Sequence, residues 1–166
     1  MSLLRTTLLL PRIARNVARL AAVQQQQSRN YADMSFTFAS PAEIFYNSAN
    51  VAQVDVPSMT GSFGILPQHV PALAVLKPGV VTVFEGDGAS KKFFVSSGSI
   101  TINDDSSVQI LAEEAVPVEH LDSQAAREGL SLAQQEAASA STEQAKAEAQ
   151  IAVECFEEVI KVAEGR

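Results

Sequence analysis

The chain has 166 residues, which is enough for one domain or for one domain with a small appendage. Its 19 acidic residues outnumber the 12 Lys and Arg residues, and the resulting net charge of −7 argues against nucleic acid as a partner, because phosphates would be repelled. The single cysteine, Cys155, excludes a disulfide within the chain.

Residues 1–31 predict a mitochondrial transit peptide. Residues 1–32 hold five arginines and no acidic residue, which leaves seven basic and 19 acidic residues for the rest of the chain. Ile13, Val17 and Leu20 follow helical spacing, and an arginine-rich amphipathic helix is what mitochondrial import uses. Arg-Asn-Tyr-Ala at residues 29–32 resembles a matrix-processing site, with cleavage before the alanine. The alternative is a basic amphipathic helix that stays on a membrane surface or binds nucleic acid.

Residues 32–117 predict an antiparallel β-sandwich. Short runs in this region alternate apolar and polar residues, so that each strand has one inward face. Clusters of turn residues separate these runs, which is typical of a sandwich or a barrel. The clearest runs are residues 54–56, 81–83 and 99–102, and residues 85–90 predict the turn of a hairpin between residues 80–84 and 92–96.

Residues 59–83 combine Gly61 and Gly64, three positions apart, with three closely spaced prolines. Glycine permits positive φ angles and proline restricts φ, so this segment predicts a loop with an imposed path. A tight turn at residues 77–79 then leads into a β-branched strand. If Gly64 has a positive φ, a Gly64→Val substitution should deform the loop.

Residues 118–166 predict an antiparallel αα-hairpin. From Leu121 onward the chain has no proline and is rich in alanine, glutamate and glutamine, which favours helices. Asp122 or Ser123 can cap the first helix, and residues 141–144 resemble a capping box that marks the start of the second. Apolar residues recur at spacings of four and three along both helices, as expected for two facing seams. The seam residues are Ala126, Leu130, Ala133, Ala137 and Ala140 in the first helix, and Ala145, Ala149, Ala152, Phe156, Val159 and Ala163 in the second.

A hairpin with an alanine seam allows close helix packing but buries little area. It therefore needs the sandwich or another chain beside it to be stable. The remaining apolar residues Val153, Cys155, Ile160 and Val162 fit either arrangement, a contact with the sandwich or a contact with a partner.

The sequence shows no constellation of enzymatic residues. His69 and His120 lie far apart, no Cys/His cluster has the spacing of a metal site, and no phosphate-binding loop or nucleophile elbow occurs. Asp104 and Asp105 predict a turn rather than a calcium site, because the ligand spacing of a calcium loop is missing. The sequence therefore predicts a protein that is not an enzyme and that binds no metal and no cofactor.

The pattern Gly-x-x-Gly-Ile-x-Pro-x-His-x-Pro, followed by Lys-Pro-Gly, lies within residues 61–79. It closely resembles the signature of one small subunit family of F-type ATP synthases, called epsilon in bacteria and chloroplasts and delta in mitochondria. Together with the transit peptide, the resemblance implies the mitochondrial branch of that family. The chain would then be a non-catalytic part of the central stalk on the matrix side of the inner membrane. There it would couple c-ring rotation to the gamma subunit and the catalytic head for ATP synthesis.

The same resemblance implies a set of partners and a contact surface. The partners would be the gamma subunit, the c-ring, through which the chain is peripheral to the membrane, and a small mitochondrial epsilon subunit beside the hairpin. Many relatives carry an acidic residue where this chain has a serine, at position 62. A lone histidine on a rigid loop is also typical of a hydrogen-bonded structural residue. The implied c-ring contact loop consists of Ser62, Phe63, Gly64, Gln68 and His69.

A second family motif concerns nucleotide binding. Bacterial relatives that bind ATP carry Ile/Leu-Asp-x-x-Arg-Ala at the start of the first helix. Leu121, Asp122 and Ala126 match this motif, but Ala125 replaces the arginine that would pair with phosphate. Arg127, two residues later, lies about 200° further around the helix and cannot substitute for it. We therefore expect no tight ATP site, and we expect Asp122 to act as a helix cap.

Two other functions are compatible with parts of the sequence. One is a regulatory subunit of the bacterial type, whose hairpin opens to inhibit ATP hydrolysis and is clamped shut by ATP. Ala125 and the transit peptide weigh against it. The other is an unrelated matrix β-sandwich that binds a small ligand or acts as an enzyme, which predicts a monomer with a ligand pocket.

Overall fold

A computed structural model describes residues 34–165 of the chain. The predicted transit peptide and its processing site therefore lie outside the described residues. β-Strands come first, and a short 3₁₀ turn and two α-helices follow. The strands are β1 (Met34–Ala39), β2 (Ile44–Ser58), β3 (Gly61–Ile65), β4 (Ala72–Leu76), β5 (Gly79–Glu85), β6 (Ser90–Val95), β7 (Gly98–Ile102), β8 (Val108–Ala112) and β9 (Ala115–Pro117). The 3₁₀ turn is Val118–His120, and the helices are α1 (Ser123–Ser139) and α2 (Glu143–Glu164).

The sheet folds back on itself around its longest strand. The strands are hydrogen-bonded in the order β1-β8-β7-β4-β2-β5-β6-β9, with β3 on β2. β1 pairs with both β8 and β2, so the first part of this order closes on itself. The 15 residues of β2 serve both parts, because its first half pairs with β1 and its second half pairs with β3 and β5. The predicted architecture, a β-sandwich followed by an αα-hairpin, is confirmed.

One strand pair corrects the prediction of an antiparallel sandwich: β1 and β8 run parallel. Parallel neighbours need a long connection, and residues 40–107 supply it. Alternation along a strand shows which side chains face inward, but it carries no information about the direction of the neighbouring strand. The pattern could therefore not reveal this pair.

The inward faces of the strands form one apolar core. β1, β5 and β8 alternate buried and more exposed residues, as a period of two requires. Aromatic rings pack together in this core, with neighbouring centroids between 4.9 and 6.2 Å apart. Interiors of this kind are close-packed and resist deformation. The clustered rings are those of Phe36, Phe38, Phe45, Tyr46 and Phe93.

Residues 59–83 are not one loop, and that prediction was wrong. The turn at residues 77–78 does lead into a strand, as predicted, but β3 and β4 also lie within the segment. β3 forms a tight hairpin with the end of β2, in which Gly61 has a φ of +128°. β4 pairs with β7 along its whole length. Strand pairing decides the conformation here, β3 with the adjoining β2 and β4 with the distant β7, and the longest stretch of this segment outside a strand is residues 66–71.

Gly64 does not have the positive φ that was considered for it. It lies in β3 opposite Asp55 of β2, and a Cβ at this position would lie 2.7 Å from Asp55 Oδ1. The same oxygen accepts a 2.6 Å hydrogen bond from Gln53 Nε2. Glycine is therefore suited to this position because it leaves room for the hydrogen-bonded side chains of Gln53 and Asp55. A valine would have to displace these side chains.

Both helices begin at a side-chain cap. Oδ1 of Asp122 accepts hydrogen bonds from the backbone N–H groups of Gln124 (2.8 Å) and Ala125 (3.3 Å), which confirms its role as the cap of α1. Oγ1 of Thr142 accepts from the N–H of Ala145 at 3.1 Å, so α2 starts within the predicted capping segment.

The helices pack along the predicted alanine seam. Ala126, Ala133 and Ala149 are buried, and Val153, which was left outside the seam, is buried with them. A close approach of the two helices at Gly129 was not predicted, because glycine has no side chain and does not contribute to a pattern of apolar residues. A Cβ on Gly129 would lie 2.5 Å from ring atoms of Phe156.

The hairpin contacts the sandwich within the same chain. α2 touches β5 and the 3₁₀ turn, and Cys155, Ile160 and Val162 are half-buried. Burial raises the pKa of the Cys155 thiol. The contact with the sandwich is thus present, whereas Leu132 and Ile151 remain exposed on the hairpin.

Candidate interaction surfaces

Residues 34–165 contain no group of three or more His, Cys, Asp or Glu residues that could hold a metal ion. Over the same range, no helix is both long enough and apolar enough to cross a membrane. The two histidines are in separate elements, His69 in the loop of residues 66–71 and His120 in the 3₁₀ turn. The notable features of the described chain are surfaces.

The structure divides the predicted contact residues between two places. Ser62 and Gly64 are exposed on the outer side of β3, while Phe63 points to the other side and packs against the core. Gln68 and His69 lie in the loop of residues 66–71, which we call the contact loop. Phe63 and His69 are brought together: their ring centroids are 6.2 Å apart, with 30° between the ring planes.

Hydrogen bonds hold His69 within the contact loop. Its backbone N–H donates to the carbonyl of Leu66 at 3.1 Å. Its Nδ1 lies 2.8 Å from the carbonyl oxygen of Val70, which can only accept, so this nitrogen carries the proton. Leu66 and Val70 themselves expose their apolar side chains to solvent. His69 is therefore hydrogen-bonded within a loop whose flanking apolar residues are exposed to solvent.

A second connection lies against the contact loop. The backbone N–H of Gln68 donates a 3.1 Å hydrogen bond to Oγ of Ser106. Ser106 belongs to the turn of residues 103–107, which joins β7 to β8. The loop and the turn therefore lie at the same end of the sandwich.

One outer face of the sheet is apolar and exposed. Val75 of β4, Leu111 of β8 and Ile44 of β2 are between 58% and 64% exposed, and Leu73 of β4 is 76% exposed. Cross-strand pairing places three of them in one row, which runs Val75, Ser99, Leu111, Ala39 and Ile44. The next row runs Leu73, Thr101, Gln109 and Thr37.

Neither row contains a charged residue, although the chain carries 31 Lys, Arg, Asp and Glu residues in all. We call these two rows the outer apolar face. Four of the nine residues in these rows are large, apolar and exposed, which makes the face a candidate contact surface. Sequence patterns missed it because β4 is apolar on both sides, so that Leu73 and Val75 do not stand out from their inward-facing neighbours.

A polar cluster ties three strands together at the side of the core. The hydroxyl of Tyr46 donates to Glu85 Oε1 at 3.0 Å, and Nζ of Lys91 lies 2.8 Å from the same oxygen. These hydrogen bonds, first from Lys91 and then from Tyr46, lower the pKa of Glu85. Burial, and then the neighbouring carboxylate, raise the pKa of Tyr46. The cluster links β2, β5 and β6 and has the geometry of a structural contact.

The degenerate nucleotide motif is occupied by structural contacts. Asp122 uses its carboxylate as a helix cap, and the Leu121 N–H donates to the carbonyl of Val118 at 3.2 Å. Ala126 is buried in the seam. Arg127 forms an ion pair with Glu164 at the far end of α2. The guanidinium nearest the motif is therefore engaged in joining the two ends of the hairpin.

Comparison with known proteins gives a consistent set of relatives. Residues 33–118 match the family model described as the β-sandwich domain of the ATP synthase delta/epsilon chain. The chain is similar to mitochondrial ATP synthase subunit delta of Caenorhabditis elegans, with 46% identity over 143 residues, covering 86% of this chain and 87% of the other. The same subunit of Saccharomyces cerevisiae is 39% identical over 129 residues, covering 78% and 79%. A chain in the cryo-EM structure of the Euglena gracilis mitochondrial ATP synthase, comprising OSCP, F1 and the c-ring, matches with a TM-score of 0.69 and 26% identity, covering 77% of this chain and 79% of that one.

Proposed function

Because the chain belongs to the ATP synthase delta/epsilon chain family, we propose that it is a rotor subunit in the central stalk of the mitochondrial proton-transporting ATP synthase. It joins the c-ring to the gamma subunit, so that proton-driven rotation reaches the catalytic head for ATP synthesis. Its role is mechanical, and it makes and breaks no bonds itself. The names of its relatives, mitochondrial ATP synthase subunit delta, support this assignment.

The outer apolar face is the observation that carries the proposal. Four exposed apolar side chains lie on this face, with no charged residue among them. Removing such side chains from water by contact with another protein is favourable. We assign this face to the gamma subunit. Its paired strands suit a broad contact, which transmits torque without a hinge.

The core explains how such a contact can transmit force. The clustered aromatic rings and the pairing of β1 with two strands make the sandwich a stiff body. The contact loop lies between β3, which is paired with β2, and β4, which is paired with β7. A force on the loop is therefore passed directly to the core.

The contact loop is the end that we assign to the c-ring. It exposes Leu66 and Val70, while Gln68 and His69 supply polar groups beside them. Such a mixture suits the polar loops of a membrane-embedded ring. Ser62 and Gly64 lie on the outer side of β3 and extend this surface.

The hairpin offers a separate surface, which we assign to the small mitochondrial epsilon subunit. Leu132 of α1 and Ile151 of α2 are 60% and 64% exposed, whereas Ala126, Ala133, Ala149 and Val153 are buried. Residues 1–31 act as the transit peptide in this proposal, and residues 32–117 and 118–166 are the sandwich and hairpin domains. The chain then lies on the matrix side of the inner membrane and touches it only through the c-ring.

The bacterial type of regulation has no support from the described residues. A nucleotide clamp needs a free guanidinium near the start of the first helix, whereas Ala125 has none and Arg127 is paired with Glu164. Asp122, the acidic member of the motif, caps the helix.

Depletion and rescue test the proposal. Mitochondria depleted of the chain should hydrolyse ATP with little proton pumping per ATP, because the link between gamma and the c-ring is lost. Re-expression of the wild-type chain should restore the ratio. Proton pumping per ATP that is unchanged after depletion would contradict the proposal.

A further inference from the structure

The contact loop and the turn of residues 103–107 meet through two residues with an unusual backbone. Gln68 has a φ of +64° and Ser106 a φ of +65°. Both lie in the left-handed region, which favours glycine. Each is the residue through which its own segment touches the other, because the Gln68 N–H donates to Ser106 Oγ at 3.1 Å.

This coincidence has an energetic meaning. The left-handed conformation is unfavourable for a residue with a side chain, because Cβ approaches the following carbonyl oxygen. Strained residues persist where the surrounding structure determines them, and they cluster at functional contacts. Here the two strained positions face each other across separate connections, and neither is glycine.

The turn itself is a firm support. The N–H of Asn103 donates to the carbonyl of Ser107 at 2.9 Å, and Nδ2 of Asn103 donates to the Ser107 hydroxyl at 2.8 Å. The N–H of Ser107 donates to Asp105 Oδ1 at 2.9 Å. The turn continues directly from Ile102 and into Val108, both of which are buried in the core. Its position is therefore fixed by the sheet.

The contact loop has less support of its own. Its hydrogen bonds from His69 to Leu66 and Val70 are local to the loop. Leu66 and Val70 point into solvent, and His69 contacts the core only through the ring of Phe63, with ring centroids 6.2 Å apart. The Ser106 hydroxyl connects the middle of this loop to the β7–β8 end of the sheet.

We propose that Ser106 is a positioning residue for the c-ring contact. Its hydroxyl holds the backbone of Gln68, so that the contact loop keeps one shape while force passes through it. The turn of residues 103–107 is thus a brace for the contact loop. This inference rests on the proposed function, because it assumes that the contact loop faces the c-ring.

The test uses two variants and a matched control in the full chain. Ser106→Gly removes the hydroxyl and relieves the backbone strain, while Ser106→Ala removes the hydroxyl alone. Ser48→Gly is the control, because Ser48 also has a positive φ (+50°) but its N–H bonds to Thr37 of β1. Hydrogen exchange at the Gln68 amide reports on the brace. Proton pumping per ATP in the reassembled synthase reports on coupling.

In both Ser106 variants, the amide hydrogen of Gln68 should exchange with solvent about twofold to tenfold faster than in the wild type. This range corresponds to the loss of one hydrogen bond. Both should also lower proton pumping per ATP, although Ser106→Gly leaves the melting temperature of the sandwich unchanged. Ser48→Gly should alter neither readout.

Two results would overturn the inference. Unchanged exchange at Gln68 would show that the brace does not hold the loop. Faster exchange with unchanged coupling would show that the loop needs no positioning. Neither result touches the proposed function, which fails instead if depletion of the whole chain leaves coupling intact.

Discussion

Replacing two outward-facing residues of β4 tests whether the outer apolar face is buried against the gamma subunit. The double variant Leu73→Thr/Val75→Thr places β-branched threonine at both positions, and threonine is favoured in strands. Both side chains point away from the core, so the free chain should fold as before. A loss of binding can then be assigned to the surface itself.

The expected magnitude follows from the exposure of the two side chains. Full burial of a Leu or Val side chain stabilises by roughly 1.5–3 kcal/mol. Leu73 is 76% exposed and Val75 is 61% exposed, so complete cover by a partner would contribute about 1–2 kcal/mol at each position. Threonine keeps part of the apolar area but buries a hydroxyl, which costs about 1–3 kcal/mol when it is unpaired. The double variant should lose about 2–4 kcal/mol, or roughly 30-fold to several hundred-fold in affinity.

Calorimetry or surface-based binding of the mature chain to isolated gamma subunit measures this loss. The control is Leu132→Thr/Ile151→Thr, which changes two apolar residues of similar exposure on the hairpin. It should leave gamma binding within about twofold of wild type, a change of less than roughly 0.5 kcal/mol. If the β4 double variant and the wild type have the same melting temperature and the same affinity for gamma, the assignment of the outer apolar face is refuted.

Three further predictions concern the hairpin, the polar cluster and nucleotide binding. Gly129→Leu should destabilise the hairpin by about 1–3 kcal/mol, because its side chain meets the ring of Phe156. Helical circular dichroism on heating measures this, and the same melting curve as Gly86→Ala, where a Cβ meets no atom within 4 Å, would contradict it. In the Glu85→Gln variant, the free energy of unfolding should fall less steeply with decreasing pH than it does in the wild type. Because the pKa of Glu85 is lowered in the folded state, its contribution to stability is complete above the ordinary glutamate pKa of 4.5 and disappears as the pH falls through the folded-state pKa. A series of melting temperatures below about pH 5 decides this, and an unchanged slope speaks against the cluster. ATP titrated into the mature chain should give no heat of binding, because Ala125 cannot pair with phosphate, and micromolar binding would refute this.

Local chemistry predicted much of the fold. The alternation at residues 81–83 and at residues 99–102 predicts strands with one buried face. The first run lies in β5 and the second in β7. The caps Asp122 and Thr142 mark the helix starts because short polar side chains satisfy free N–H groups there.

Pairing between strands and contacts between distant segments account for what local chemistry could not predict. β3 looks like a turn because it carries two glycines, and it becomes a strand only by pairing with the end of β2. The parallel pair of β1 and β8 joins residues about 70 positions apart, and the contact of Ser106 with Gln68 joins residues 38 positions apart. The outer apolar face is likewise assembled from five strands, so that no single run of sequence contains it.

Copurification tests the central claim most directly. Tagged wild-type chain, recovered from detergent-solubilised mitochondria, should bring the gamma and c subunits with it in fixed proportion. Recovery of the chain as a free monomer, with no synthase subunit bound, would contradict its place in the rotor.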